Sequence, residues 1–178
     1  MKAIEPGQDW KIAALKSNFH VHFLFGGIIM DTIYFDTAFK YAQKAYNNNE
    51  VPVGAIIVCN NKIIGYGYNK KEKTNDVLAH AELNAIKMAS KKVNNWRLDN
   101  CEMYVTLDPC PMCASAIKQS RIKKVYSALS NLDDNNLNII LEIFKADKNN
   151  SKVLFETNLF PEKSKLLLNS FFLERRDK

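Results

Sequence analysis

Residues 103–128 read MYVTLDPCPMCASAIKQSRIKKVYSA, and their order decides the architecture. Met103 to Leu107 is a run of β-branched and apolar residues with the character of a strand, which Pro109 stops. Cys110 to Ser120 has the composition of a short helix, closing on the basic group Lys118, Arg121, Lys123 and Lys124. Val125 to Ala128 is again a strand. Two strands joined through a helix lie parallel, with a right-handed crossover.

The pattern extends outward in both directions. Upstream, Ile33, Phe35, Ala38, Phe39, Ala42 and Ala45 recur at helical spacing between Thr32 and Tyr46, and Asn47-Asn48-Asn49 ends the helix. Ala55 to Cys59 reads as a buried strand, Asn60-Asn61 as a two-residue turn and Lys62 to Tyr68 as its hairpin partner. A polar loop, Asn69 to Asn75, leads to a helix from His80 to Lys91 that is apolar almost all round, as expected of a helix packed between layers. Downstream come a polar loop at 131–136, a helical stretch from Leu137 to Phe144, a fifth strand from Val153 to Glu156 and a last helix from Pro161 to about Arg175. These elements predict an α/β protein of three layers, with helices on both faces of a mixed five-stranded sheet.

The chain has 178 residues, 47% of them hydrophobic, enough for one sizeable core. Its 25 basic and 19 acidic side chains give a net charge of +6, which raises the expectation of a polyanionic partner. Two of its four cysteines sit in a tight C-x-x-C, and a chain of this length folds without staples, so a reduced, cytoplasmic setting is expected. The apolar run Val21 to Met30 is too short to span a bilayer, and Glu5 and Asp9 spoil a basic signal region. No membrane partner is therefore expected. Regular patterning begins only after Met30, which could itself be a start, so residues 1–29 are set apart as an extension of unknown role.

The chemistry gathers at two short motifs. Ala79-His80-Ala81-Glu82 opens one helix, and Pro109-Cys110-Pro111-Met112-Cys113 opens another. Thiols at i and i+3 share one helix face, and the helix N-terminus favours the thiolates that zinc requires. One imidazole and two thiolates make a three-ligand site whose fourth tetrahedral position stays open, the arrangement of a catalytic zinc. A carboxylate two residues from the ligand histidine can face the metal without binding it, which suits Glu82 to moving protons. A closed structural site would need a fourth ligand from Cys59 or Cys101, whose positions in or beside strands fit small buried hydrophobes better. His20 and His22 have no acidic or thiol companion nearby in sequence and read as incidental.

The H-x-E and P-C-x-x-C motifs together are the signature of the zinc nucleobase deaminases. From about Asp31 onward the chain resembles the bacterial tRNA adenosine deaminases of the cytidine deaminase-like superfamily. The likeness includes Glu50-Val51-Pro52-Val53-Gly54-Ala55, Asn69, Tyr104 through Cys110, Ser120-Arg121-Ile122, and the ending Phe171-Phe172 with Arg175-Arg176. The resemblance implies a homodimeric enzyme, with residues 30–178 as its deaminase domain, that converts the wobble adenosine of a tRNA anticodon to inosine with a zinc-activated water. It implies one zinc on His80, Cys110 and Cys113, Glu82 as proton shuttle, Asn69 against the flipped base, and RNA contacts from Arg121, Arg175 and Arg176. One departure bears on substrate more than on chemistry. Where the family usually carries Gly-Ala-x-Asp after the fourth strand, this chain has Ala128-Leu129-Ser130-Asn131.

Two other functions remain compatible with the motifs. One keeps the chemistry and changes the substrate to a free base or nucleoside such as cytosine, cytidine or guanine. The other is a non-enzymatic module in which zinc only cross-links two helices, against which Glu82 stands, because a structural site has no use for a carboxylate beside an open position.

Overall fold

The computed structural model describes residues 27–130, 133–147 and 152–176. His20, His22 and Asn131 lie outside the described residues. Helix α1 (Gly27–Asn47) is followed by the hairpin β1 (Gly54–Cys59) and β2 (Lys62–Tyr68). Asn60 and Asn61 turn this hairpin with φ of 49° and 58°, the left-handed values that a two-residue turn of matching twist demands. A single helical turn, α2 (Lys71–Thr74), interrupts what the sequence reads as a plain polar loop. Helix α3 (Ala81–Val93), strand β3 (Glu102–Val105), helix α4 (Pro111–Gln119) and strand β4 (Lys124–Ser127) then build the crossover. Helix α5 (Asp134–Phe144), strand β5 (Leu154–Glu156) and helix α6 (Pro161–Arg176) complete the chain.

The sheet order is β2-β1-β3-β4-β5. The first three strands are antiparallel, and β3, β4 and β5 run parallel, as the crossover through α4 requires. Alternation splits the core cleanly. Ala55, Ile57, Met103 and Val105 face α3, α4 and α5, whereas Ile56, Val58 and Tyr104 face Tyr34, Phe35 and Phe39 of α1. With both faces covered, β1 is buried along almost its whole length, which is why it reads as an unbroken apolar run. Helix α6 docks through Ser164, whose hydroxyl donates to the Thr106 carbonyl at 2.5 Å, and through Leu168 and Phe171.

Helices reach the sheet closely because small residues meet there. Ala81, Ala85 and Ala89 are fully buried against β2, and a Cβ placed on Gly67 would lie 2.0 Å from the Ala81 carbonyl oxygen. Helix α1 begins at Gly27, so helical backbone runs through Met30 rather than starting after it. No helix among the described residues is long and apolar enough to cross a membrane.

Candidate metal centre and active site

The strand registers bring three chain ends to one edge of the sheet. Tyr68 at the end of β2 pairs with Gly54 at the start of β1, and Ala55 pairs with Val105 at the end of β3. The segments that leave β2 and β3 therefore start α3 and α4 from the same side, and both N-termini point into one site. His80 and Cys110 occupy equivalent positions, each the extended residue immediately before its helix, with ψ of 155° and 166°.

His80 Nδ1 lies 3.8 Å from Cys110 Sγ and 3.6 Å from Cys113 Sγ. All three ligand atoms fall within 4.8 Å of one another, and this is the only such group of metal-binding side chains among the described residues. A tetrahedral zinc with bonds of about 2.0 Å to nitrogen and 2.3 Å to sulfur sets its ligand atoms roughly 3.5–3.8 Å apart, so the donor set fits that ion without rearrangement. Cys59 and Cys101 stand next to each other at the opposite end of β1 and β3, since Val58 pairs with Glu102, and cannot close the site as a fourth ligand.

The electrostatics of the three acids differ. Hydrogen bonding from the Cys113 thiol, helped by the backbone amides of Met112 and Cys113 and by His80, lowers the Cys110 thiol to about 5 despite its burial. The Cys113 thiol is pushed up in turn, first by that same hydrogen bond and then by burial. Glu82 is 4% exposed, and burial pushes its carboxyl up to about 7, with the Cys110 charge adding to the rise. Its oxygens are not in the metal-binding group.

Asn69 borders this site from the end of β2, held at both ends of its amide. Its Oδ1 accepts the Ala81 amide hydrogen at 2.9 Å and its Nδ2 donates to the Val51 carbonyl at 3.0 Å. Glu50, only 2% exposed, accepts the amides of Glu72 at 3.2 Å and Lys73 at 2.8 Å and so fastens α2 to the same edge. Glu50 has no role of its own in the two ligand motifs. Its signal is a carboxylate set against the apolar run Val51 to Val58, where a charge is kept only by internal partners.

The basic residues are less free than their spacing suggests. Lys118 is buried, donates to the Lys145 carbonyl and lies 3.6 Å from Asp147, while Lys124 pairs with Glu156 at 2.5 Å. The cluster 118–124 is thus partly spent on holding α5 and β5. Arg121 lies just past the C-terminal end of α4, away from the metal-binding end, with its guanidinium over Trp96 at 5.8 Å. Arg175 donates to Asn49 Oδ1 at 3.1 Å and covers the Phe171 ring at 3.5 Å, and Arg176 is exposed. Phe171 belongs to the core, but Phe172 is half exposed.

The zinc-binding region of the cytidine and deoxycytidylate deaminases matches residues 29–129. A tRNA-specific adenosine deaminase of Buchnera aphidicola subsp. Schizaphis graminum is 39% identical over 147 residues, covering 82% of this chain and 96% of that protein. This chain belongs to the tRNA-specific adenosine deaminase family. As a member it is a zinc-dependent hydrolase, and the cofactor agrees with the His80, Cys110 and Cys113 donor set. A solved structure from work on A-to-I editing by tRNA:A34 deaminases at the wobble position of transfer RNA superposes on the deaminase with a TM-score of 0.70. The two are 31% identical, over 77% of this chain and 99% of the other. A guanine deaminase from Bacillus subtilis, also 31% identical, covers 83% of this chain and 94% of its own at a TM-score of 0.56.

Proposed function

We propose that the protein hydrolyses the wobble adenosine of a tRNA anticodon to inosine, with His80, Cys110 and Cys113 holding zinc and Glu82 moving the protons. One observation carries the chemistry. Three donors converge at zinc spacing while a buried carboxylate stands beside them and outside the set. That is the division of labour of a hydrolytic site rather than of a cross-link, which would use a fourth ligand.

When bound, zinc supplies the Lewis acidity that brings the pKa of a water toward neutrality. Glu82 accepts one proton of the attacking water and delivers it to the purine ring nitrogen, then carries the second, from the new hydroxyl, to the departing amine, so that adenosine and water leave as inosine and ammonia. Burial raises the Glu82 carboxyl above the ordinary carboxylate range, which strengthens it as a proton acceptor. Asn69, fixed by Val51 and Ala81, presents a rigid amide edge to an adenine taken out of its stack. Residues 30–178 constitute the deaminase domain and residues 1–29 an extension before it. The enzyme works in the cytoplasm as a homodimer, and Arg121, Arg175 and Arg176 are its candidate phosphate contacts.

The similarity to a guanine deaminase favours a second reading, in which the substrate is a free base. The extent of the match to the tRNA enzyme supports RNA, as does the net charge of +6. Supplying the zinc-loaded protein with total tRNA, adenosine, cytidine and guanine in parallel separates the readings. Inosine in tRNA alone is expected, and release of ammonia from guanine with tRNA untouched would replace this substrate with the free base.

A further inference from the structure

Among the described residues, strand β2 is an edge of the sheet, with β1 as its only neighbour. A groove of about 270 Å³ follows that edge, between Tyr66, Tyr68 and Lys70 on one side and Lys87, Met88 and Lys91 of α3 on the other. Its α3 wall is not the wall that meets the metal centre. At about 100° per residue, positions 84, 87, 88 and 91 lie roughly 140–240° round the helix from Glu82.

The groove combines stacked rings with uncompensated charge. Tyr41 stacks on Tyr66 with centroids 4.3 Å apart and planes within 9°, and Tyr68 runs parallel to Tyr41 at 6.4 Å. Tyr66 is 37% exposed. Lys44 and Lys70 hold their ammonium groups 5.0 and 4.7 Å from the centre of the Tyr68 ring. Among the described residues, none of Lys44, Lys70, Lys87 or Lys91 forms an ion pair with a carboxylate, whereas Lys118, Lys124, Lys145, Lys163 and Lys165 all do. Three of these cations, Lys70, Lys87 and Lys91, line one groove with no acid in its walls and repel one another, and a flexible polyanion relieves that repulsion. Cations along a backbone path, with an open aromatic face for a base, are the chemistry of single-stranded nucleic acid binding.

We propose that this edge groove is a second RNA-docking surface, in which Lys70, Lys87 and Lys91 follow the phosphates, Lys44 adds charge beside Tyr68, and Tyr66 stacks an unpaired base. It rests on the reading of the substrate as RNA and lies outside the catalytic site. An acidic peptide would satisfy the lysines but leave the tyrosine stack unused.

The test measures binding of a short unstructured oligouridylate, which the active site cannot deaminate, over a salt series. It compares the wild-type protein with Lys87→Glu/Lys91→Glu and with Tyr66→Ala, using zinc content and melting temperature as controls of folding. The charge reversal should weaken binding at least ten-fold and flatten the logarithmic salt dependence by about 1.4, for two lost phosphate contacts on a single strand. Tyr66→Ala should weaken binding about five-fold or more at unchanged salt dependence, the effect of one lost stack. Wild-type affinity and slope in both folded variants would overturn the proposal. So would failure of the wild-type protein to bind the oligonucleotide, or equal competition by polyglutamate. Inosine formation in tRNA, assayed separately, reports on the substrate reading, so the two can fail independently.

Discussion

Asn69 Oδ1 accepts the amide hydrogen of Ala81 at 2.9 Å, so a residue at the mouth of the site also caps the helix that begins at His80 and carries Glu82. His80 sits at the capping position without capping the helix through its own side chain, leaving the ring free to face the thiols. Asn69→Ala should therefore cost about 1–2 kcal/mol, the usual loss for a removed cap or buried hydrogen bond. Urea denaturation of the zinc-loaded protein reads this, and unchanged stability would leave Asn69 with a substrate role only.

Zinc should be lost when either thiol is changed. Cys110→Ser replaces a sulfur held near 5 by a hydroxyl that does not ionise in this range, so the variant should purify with little metal. Metal analysis per chain measures it, and full occupancy in the variant would mean that Cys110 is not a ligand.

Glu82→Gln should keep zinc and lose most turnover, and it also predicts a pH effect on the zinc-free protein. A carboxyl raised from 4.5 to about 7 by burial binds its proton more tightly folded than unfolded. Its contribution is thus intact below pH 4.5 and declines as pH rises to about 7, by roughly 3 kcal/mol in all. Glutamine does not ionise. The variant should match the wild-type protein near pH 4.5 and exceed it in stability at pH 8, which thermal unfolding at the two values tests.

Gly67→Ala should be among the most damaging single changes away from the site. The added methyl would meet the Ala81 carbonyl at 2.0 Å, and both partners are backbone in packed elements. Pushing α3 off β2 should cost at least about 1–3 kcal/mol, by denaturant unfolding, and should weaken zinc binding because His80 moves with the helix.

Most of this molecule was legible in its sequence, because the elements that position the metal have strong local signals. The Asn60-Asn61 turn ends β1, Pro109 stops the segment that leaves β3, and the short unbroken apolar runs of β1 and β3 differ plainly from the helical spacing of Ala81, Ala85 and Ala89. The donors were legible too, since two ligand motifs at helix starts need only a common edge to meet. What was not legible depends on tertiary partners. The turn of helix α2 exists because a distant carboxylate, Glu50, receives the amides of Glu72 and Lys73. Lys118 and Lys124 look like surface charge until α5 and β5 arrive to bury or pair them. Arg175 also holds Phe171 and Asn49, a second role the sequence does not show, because a guanidinium can stack on an aromatic face and donate sideways at once.

These contacts separate the two terminal arginines experimentally. Arg176→Ala should lower tRNA affinity and reduce the salt slope by about one phosphate contact without changing stability. Arg175→Ala should lose stability as well, through Asn49 and Phe171. Equal effects of the two changes on both binding and melting temperature would contradict this division.

In the proposed reaction, zinc held by His80, Cys110 and Cys113, with Glu82 beside it, deaminates the wobble adenosine of tRNA. That reaction is tested most directly by mass spectrometry of an unmodified tRNA transcript bearing adenosine at the wobble position, after incubation with zinc-loaded wild-type protein and with zinc-loaded Glu82→Gln. Inosine is expected at that position alone with the wild-type protein, with a loss of at least about a hundred-fold in rate with the variant. A zinc-loaded variant that formed inosine at the wild-type rate, or a wild-type protein that left the wobble adenosine intact, would contradict it.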